Sequence, residues 1–372
     1  MTSNNINLTG PHAQASSGEP PQDSLGNAED DEDDPAAYSD LDDNMSALTE
    51  LNEDEFPSYF AERDGRLFHS HGSSPYPLPV DGHEQQRLDA QHVALQRMLG
   101  GNYFGPVPAV LAPDANRQRL VLDLGSGTGK WVLEMANEFP HVSFHGLDIV
   151  PIATRYPPNN VFFEVQDMNE PWRWGDATVD IVHARSISMA VRSTPNGPRT
   201  VPHTTKQVHD FAEIARKVAR VLRPGGLFLS CEWVRGVLVH PNLPYDVATY
   251  IPAISRFFDM VKDTLDRLRG IECLAGQVPQ YLHDTGAFGE IMTREECIPL
   301  GPWASDDAPH VVQTGRIMRA SFVRYAEALR PLLMEAGCTP DFLNSLFAEM
   351  KHELRVKEGL VCNIHAVFAR KV

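Results

Sequence analysis

The first 55 residues contain no Lys or Arg, although they hold fifteen acids. Most of the formal −18 of this 372-residue chain is therefore local, because the remainder carries 35 acids against 32 bases. No basic block of the kind that neutralises phosphates occurs, and the acidic head would repel a nucleic-acid backbone, so direct binding of DNA or RNA is not expected. Long apolar runs are missing too. The longest, around Leu227 to Val239, is broken by Glu232 and Arg235 and falls far short of the ~20 residues that cross a bilayer, so no membrane role is expected. Residues 1 to 20 lack both the basic start and the apolar middle of a secretory signal, and no Arg-rich transit segment is visible. Cysteines are few: Cys231, Cys273, Cys297, Cys338 and Cys362 are scattered with no CxxC pair, the pattern of buried reduced thiols inside a cell. No ligand cluster at metal spacing occurs, and no metal is expected. A cytoplasmic location follows, with nuclear entry on a partner as the alternative, since no basic nuclear-type run is present.

With 42% hydrophobic and 22% charged residues, the composition is close to that of globular proteins. Residues 1–55 are rich in Ser, Asn, Gly, Pro and acids, too poor in apolar area to offset the entropy of ordering, and read as a disordered acidic tail. An interaction segment for a regulatory protein partner is the functional alternative to a solvating leader. Residues 56–118 shift to aromatics, His and Pro. Prolines 75, 77 and 79 hold an extended strap, since proline fixes its own φ and restricts the residue before it. Asp81 then suits the N-cap of a helix over Glu84 to Leu99, with Leu88, Leu95 and Leu99 at helical spacing and Gly100-Gly101 as its stop. From Arg119 onward short apolar runs alternate with amphipathic segments, which predicts a doubly wound α/β unit with a largely parallel sheet. The strands expected are 120–124, 142–148, 161–165, 179–184 and 226–231. Helices are expected at Lys130 to Phe139 and Thr205 to Val221. Further on, helices near 247–269, 314–336 and 340–357 predict a helical cap, about 240–357, with extended arms at 288–298 and 360–369.

The strongest motif is Val121-Leu-Asp-Leu-Gly-Ser-Gly-Thr-Gly-Lys-Trp131, a strand running into Gly125, Ser126, Gly127 and Gly129 and then a helix. Glycines at alternate positions permit a tight turn and let backbone approach a nucleotide-like ligand. The spacing is not the G-x-G-x-x-G of dinucleotide oxidoreductases, and the acid before the loop, Asp123, disfavours a pyrophosphate. A carboxylate there suits a cationic ligand end, such as the amino group of S-adenosylmethionine (SAM). Asp148, followed by Ile149, ends the second strand nineteen residues after Gly129, where an acid can accept from ribose hydroxyls. Asp167 ends the third strand and can accept from an adenine amino group while Met168 packs on the ring. An isolated Asp is more often a cap or a loop carboxylate. Acids at successive strand ends outweigh that reading, because ligands of open α/β sheets sit at the carboxyl ends of strands.

Together with Asp180 to Ile187 and the turn Leu222-Arg-Pro-Gly-Gly226, these motifs resemble those of class I SAM-dependent methyltransferases over roughly residues 119–232. Segments Gly65–His69, Tyr76–Asp81 and His83–Asp89 further resemble the stretch before the cofactor loop in LaeA-like fungal methyltransferases. The resemblance implies a Rossmann-like methyltransferase domain over 119–372 with seven strands, the last antiparallel, the arms supplying the final two. It also implies a strap lying over the cofactor, with Tyr76 as its candidate lid aromatic, a core tyrosine packing on the sheet being the equal alternative. The expected activity is SAM-dependent methylation of a small-molecule acceptor in fungal secondary metabolism. The alternative is a LaeA-like regulator that keeps the SAM-binding fold and works through protein partners. Methyl transfer needs positioning more than a nucleophilic residue. Should the acceptor need deprotonation, His183 is the candidate base, weighed against a hydrogen-bonded core histidine. Glu232 and Trp233, just past the fifth strand, read equally as acceptor-facing or as a surface acid and a packing indole. Arg87 reads as helix surface, with pairing to an acid of the core as the alternative.

Overall fold

The computed structural model describes residues 50–70, 74–191, 211–303 and 309–372. The acidic tail expected over 1–55 therefore lies almost wholly outside the described residues, as does the first turn of the helix expected from Thr205. Phe60–Arg63 (β1) and Arg66–His69 (β2) pair as an antiparallel hairpin about Asp64 and Gly65, both left-handed at φ 52° and 71°. Against this hairpin lies the strap. Its Val80 N–H donates to the Leu67 carbonyl at 2.7 Å, and Arg66 pairs with Asp81 at 3.0 Å. Leu78 and Val80 of the strap are buried, Leu78 in the core shared with the cap helices.

Gly82–Leu99 (α1) begins where Asp81 accepts from the Glu84 N–H at 3.1 Å and ends at Gly100, left-handed at φ 82°. Its buried face is not the expected leucine row. Glu84, Arg87, Gln91 and His92 are buried ahead of Ala94 and Leu95, and of the expected row only Leu95 is fully buried, in the core shared with the cap helices. Arg87 is buried, bonded to Glu84 at 2.6 Å and to Gln91 at 2.6 Å, which corrects its assignment to the helix surface. A short helix, Val107–Val110 (α2), leads into the sheet.

The main sheet forms from Arg119–Leu124 (β3), Val142–Asp148 (β4), Val161–Val165 (β5), Val179–Arg185 (β6), Leu222–Trp233 (β7), Leu238–Val239 (β8), Phe288–Pro299 (β9) and Leu360–Lys371 (β10). The order is β5-β4-β3-β6-β7-β10-β9, and the two-residue β8 joins the start of β10. The first five of these are parallel, and β10 is antiparallel to both β7 and β9. The late arms thus complete a seven-strand order, as expected.

Lys130–Glu138 (α3) packs with α2 on one face, setting Val107, Leu111, Trp131 and Met135 against Val121, Phe144 and Ile181. Phe211–Val221 (α4) covers the other, with Phe211, Ile214 and Val218 against Leu122, Leu124 and Val182. Each such side chain contributes roughly 1.5–3 kcal/mol when fully buried, so both layers rest on apolar burial.

The cap comprises Val247–Tyr250 (α5), Pro252–Arg269 (α6), Val278–Asp284 (α7), Pro309–Ala328 (α8), Arg330–Glu335 (α9) and Pro340–Val356 (α10), of which α7 packs back on the sheet. The cap therefore arrives in two pieces, one on either side of β9 in sequence. Phe257 meets Phe322 and Phe347 edge to face, with centroids 6.2 and 5.9 Å apart. Buried Glu353 of α10 accepts the Ala253 and Ile254 N–H groups at 2.8 and 2.9 Å, capping α6 across the interface.

Candidate active site

The strand order reverses between β3 and β6, and the loops leaving their carboxyl ends must part there, opening a crevice. The glycine loop forms its floor. Gly125, Gly127 and Gly129 are all left-handed, at φ 67°, 56° and 75°. Gly127 donates its N–H to Asp148 at 2.7 Å, so the loop is tied to the end of the next strand. Gly129 starts α3 behind the crevice and does not line it; a Cβ there would come within 2.3 Å of the Phe163 ring. Its demand for glycine is one of packing and φ. Thr128 donates to Asp89 of α1 at 2.7 Å, fastening the loop to the helix after the strap.

Most of the expected positions do converge. Tyr76, Gly125, Gly127, Asp148, Ile149, Asp167 and Met168 line one cleft of about 780 Å³, open solvent at its mouth included. Asp123, Ser126 and His183 line its continuation past the glycine loop, with Arg185 and Ser186. Asp148 accepts from Gly127 and from the Val150 N–H at 3.2 Å, yet burial pushes its carboxyl up to about 6. One oxygen of buried Asp167 takes the Asn169 N–H at 2.9 Å, and its other oxygen has no partner. A buried carboxylate oxygen left unpaired is costly, and it fits an amino group supplied by a ligand.

At the opposite end, Asp123 accepts from His183 Nδ1 at 2.6 Å, and the imidazole stacks on Trp131 with centroids 3.7 Å apart. Burial holds this imidazole below its ordinary value despite the carboxylate. Arg185 donates to His92 Nδ1 at 2.8 Å, which leaves the His92 Nε2–H to donate to Glu134, also at 2.8 Å. No carboxylate of a described residue pairs with Arg185 directly, and burial lowers its pKa. A cation and a carboxylate thus stand at one end of the cleft and an unpaired acceptor at the other. That donor set fits the amino acid and the adenine of SAM.

Next to the cleft is a second chamber of about 840 Å³, again counting its open mouth, whose walls include Leu78, Met189, Phe258, Met318 and Phe322. Leu88 and Ser186 border the chamber and both parts of the cleft. Ser186 is left-handed at φ 60°, unusual for a residue with a Cβ. The turn after it is held by Glu232, fully buried, which accepts the Ile187 and Ser188 N–H groups at 3.0 and 3.2 Å. Burial pushes that carboxyl up to about 7. Glu232 is therefore neither a surface acid nor an acceptor-facing one, while Trp233 does line the chamber. His183 does not, so its placement gives no support to a general-base role there. Among the described residues the chamber wall contains no Asp, Glu or His, and its Cys362 thiol is pushed up to about 12 by burial.

Sequence reasoning missed Arg185, although a charged residue directly after an apolar strand was a usable signal. It also missed Phe258, Phe322 and Tyr325, whose helical spacing is that of any core face.

Comparison with known proteins agrees with this geometry. A family model described as a methyltransferase domain matches residues 116–296. The secondary metabolism regulator laeA of Aspergillus fumigatus is 27% identical over 332 residues, covering 88% of this chain and 80% of that protein. Methyltransferase pytC of Aspergillus terreus is 28% identical over 312 residues, 82% and 84% of the two chains. The protein-methionine methyltransferase laeA of Emericella nidulans is 28% identical over 317 residues, 84% and 76%. The chain is a SAM-dependent methyltransferase of the class I fold, related at moderate identity to the LaeA- and pytC-type methyltransferases of fungi.

Proposed function

We propose that this methyltransferase acts in fungal secondary metabolism in the manner of its LaeA relatives, as a regulator that works through protein partners. The observation that carries this reading is the extent of the likeness. It runs over 332 residues, well beyond the 116–296 of the general methyltransferase domain, and so takes in most of the strap and cap. Those parts border the acceptor side, where function diverges between methyltransferases that share a cofactor site.

A second reading, methylation of a small-molecule acceptor, is favoured by the enclosed apolar chamber, the usual form of a small-ligand site. Comparing metabolites of a producing cell with those of one lacking this chain separates the two. Loss of many unrelated products supports the regulator. Loss of a single methylated compound, with its demethyl form accumulating, supports the tailoring enzyme and overturns the first reading.

In either case the residues divide the work in the same way. SAM, when bound, supplies a methyl group on a sulfonium, already activated for displacement. Asp123 and Arg185 would hold the amino-acid end, Asp148 would accept from the ribose, the free oxygen of Asp167 would accept from the adenine amino group, and Met168 would pack on the base. Tyr76 closes the strap over the site, and with it Leu88 and Ser186 form the passage into the chamber. No wall residue is a base at neutral pH, which favours an acceptor that arrives already nucleophilic.

A further inference from the structure

Arg235 stands in the chamber wall two residues after β7. Its guanidinium donates to the Glu272 carbonyl at 3.1 Å and reaches the Ile271 carbonyl at 3.5 Å, and no carboxylate of a described residue forms an ion pair with it. Arg87, also in the wall, is different: Glu84 Oε1 lies 2.6 and 2.9 Å from its nitrogens and cancels its charge. Arg235 is thus a half-buried cation hydrogen-bonded only to carbonyls, in a wall with no described acid. The buried carboxyl it acts on, Glu232, lies outside that wall and is spoken for by the Ile187 and Ser188 N–H groups.

Two neutral donors share that wall. The indole N–H of Trp233 is buried with no partner. The phenol of Tyr325 is pushed further towards its protonated form by burial. A cation and unfilled donors among apolar walls are costly in themselves and strengthen any anion that enters, because the medium screens little. A planar guanidinium matches a carboxylate better than it matches a neutral carbonyl.

We propose that the chamber binds a small, largely apolar molecule carrying one ionised carboxyl or phenol, its anion held by Arg235 with the Trp233 N–H. This rests on the reading that the chain is a SAM-dependent methyltransferase whose acceptor side is this chamber, and it names the class of ligand taken there. The apolar body lies against Phe258, Met318 and Phe322, and the single charge sets its orientation.

The test is calorimetric titration of the full chain, saturated with S-adenosylhomocysteine, using 2-naphthoate and its neutral isostere 2-naphthamide. Naphthoate should bind at least tenfold more tightly. Arg235→Gln should abolish that preference while leaving the affinities for naphthamide and S-adenosylhomocysteine within twofold, and Arg235→Lys should retain part of it. Equal affinities in the unsubstituted chain, absence of naphthoate binding at millimolar concentration, or a preference that survives Arg235→Gln would each overturn the proposal. The acid and amide comparison stands even if the variant does not fold. Failure of the unsubstituted chain to bind S-adenosylhomocysteine would instead strike the methyltransferase reading beneath it.

Discussion

The polar cleft and the apolar chamber lie side by side yet are built on opposite plans. The cleft is made of polar groups from consecutive strand ends, such as Asp123, Asp148, Asp167 and Arg185, each held by a hydrogen bond such as Gly127 to Asp148 at 2.7 Å. The chamber is made of side chains from the strap, the end of β7 and the cap helices, and its walls are apolar apart from a few donors. A ligand with three distinct polar parts can be gripped by charges on one rigid sheet. A ligand recognised by shape and one charge needs a wall assembled from distant segments.

This division can be broken or sharpened by experiment. Phe322→Ala, which empties the wall of the chamber, should lower unfolding free energy by about 4 kcal/mol in urea denaturation and leave S-adenosylhomocysteine affinity within twofold. A parallel collapse of that affinity would show that cap and cleft are one unit. Gly129→Ala should cost about 3 kcal/mol by the same measurement, since a Cβ at φ 75° is strained and would meet Phe163. Asp148→Ala should weaken S-adenosylhomocysteine binding at least tenfold on calorimetric titration, the worth of a charge-assisted bond of about 1.5–3 kcal/mol. Unchanged affinity would remove the ribose role.

The smallest effect is in pH. With its carboxyl raised to about 6, Asp148 keeps its proton more firmly in the folded chain than in the unfolded one. Its contribution to stability is present below the ordinary carboxylate range and is lost as pH rises through 6. Glu232, raised to about 7, behaves likewise at higher pH. Thermal stability of the ligand-free chain should therefore fall from pH 5 to pH 7, and less so in Glu232→Gln. Ligand hydroxyls favour the ionised Asp148, so S-adenosylhomocysteine affinity should rise a few-fold over the same range and stay flat in Asp148→Asn.

Legibility from sequence followed the same division. β3 to β7, the glycine loop and the acids at 148 and 167 were readable because each is a contiguous pattern whose local geometry decides its place. The hairpin of β1 and β2 was not, because a pair of four-residue strands carries almost no periodicity. For Arg87 the surface was the preferred reading, and for Glu232 one of two, for a shared reason. A charged residue reads as surface unless its partner is known. The partner of Glu232 is a pair of backbone N–H groups more than forty residues away in sequence. His183 was readable either as a base or as a hydrogen-bonded core group, and Asp123 and Trp131 hold it in place.

What the amino-acid order determined alone was the α/β unit, its strand ends and the acids at their tips, since strand, tight turn and helix are choices made within about ten residues. Only the tertiary structure decided which charges are cancelled. Arg87 and Arg235 are chemically alike; Arg87 has Glu84 three residues before it on the same helix, but only the fold shows that this pair is buried and that Arg235 borders an apolar chamber without an ion-pair partner among the described residues. Burial is a property of surfaces brought together by folding, and the chamber wall joins segments from Tyr76 to Cys362.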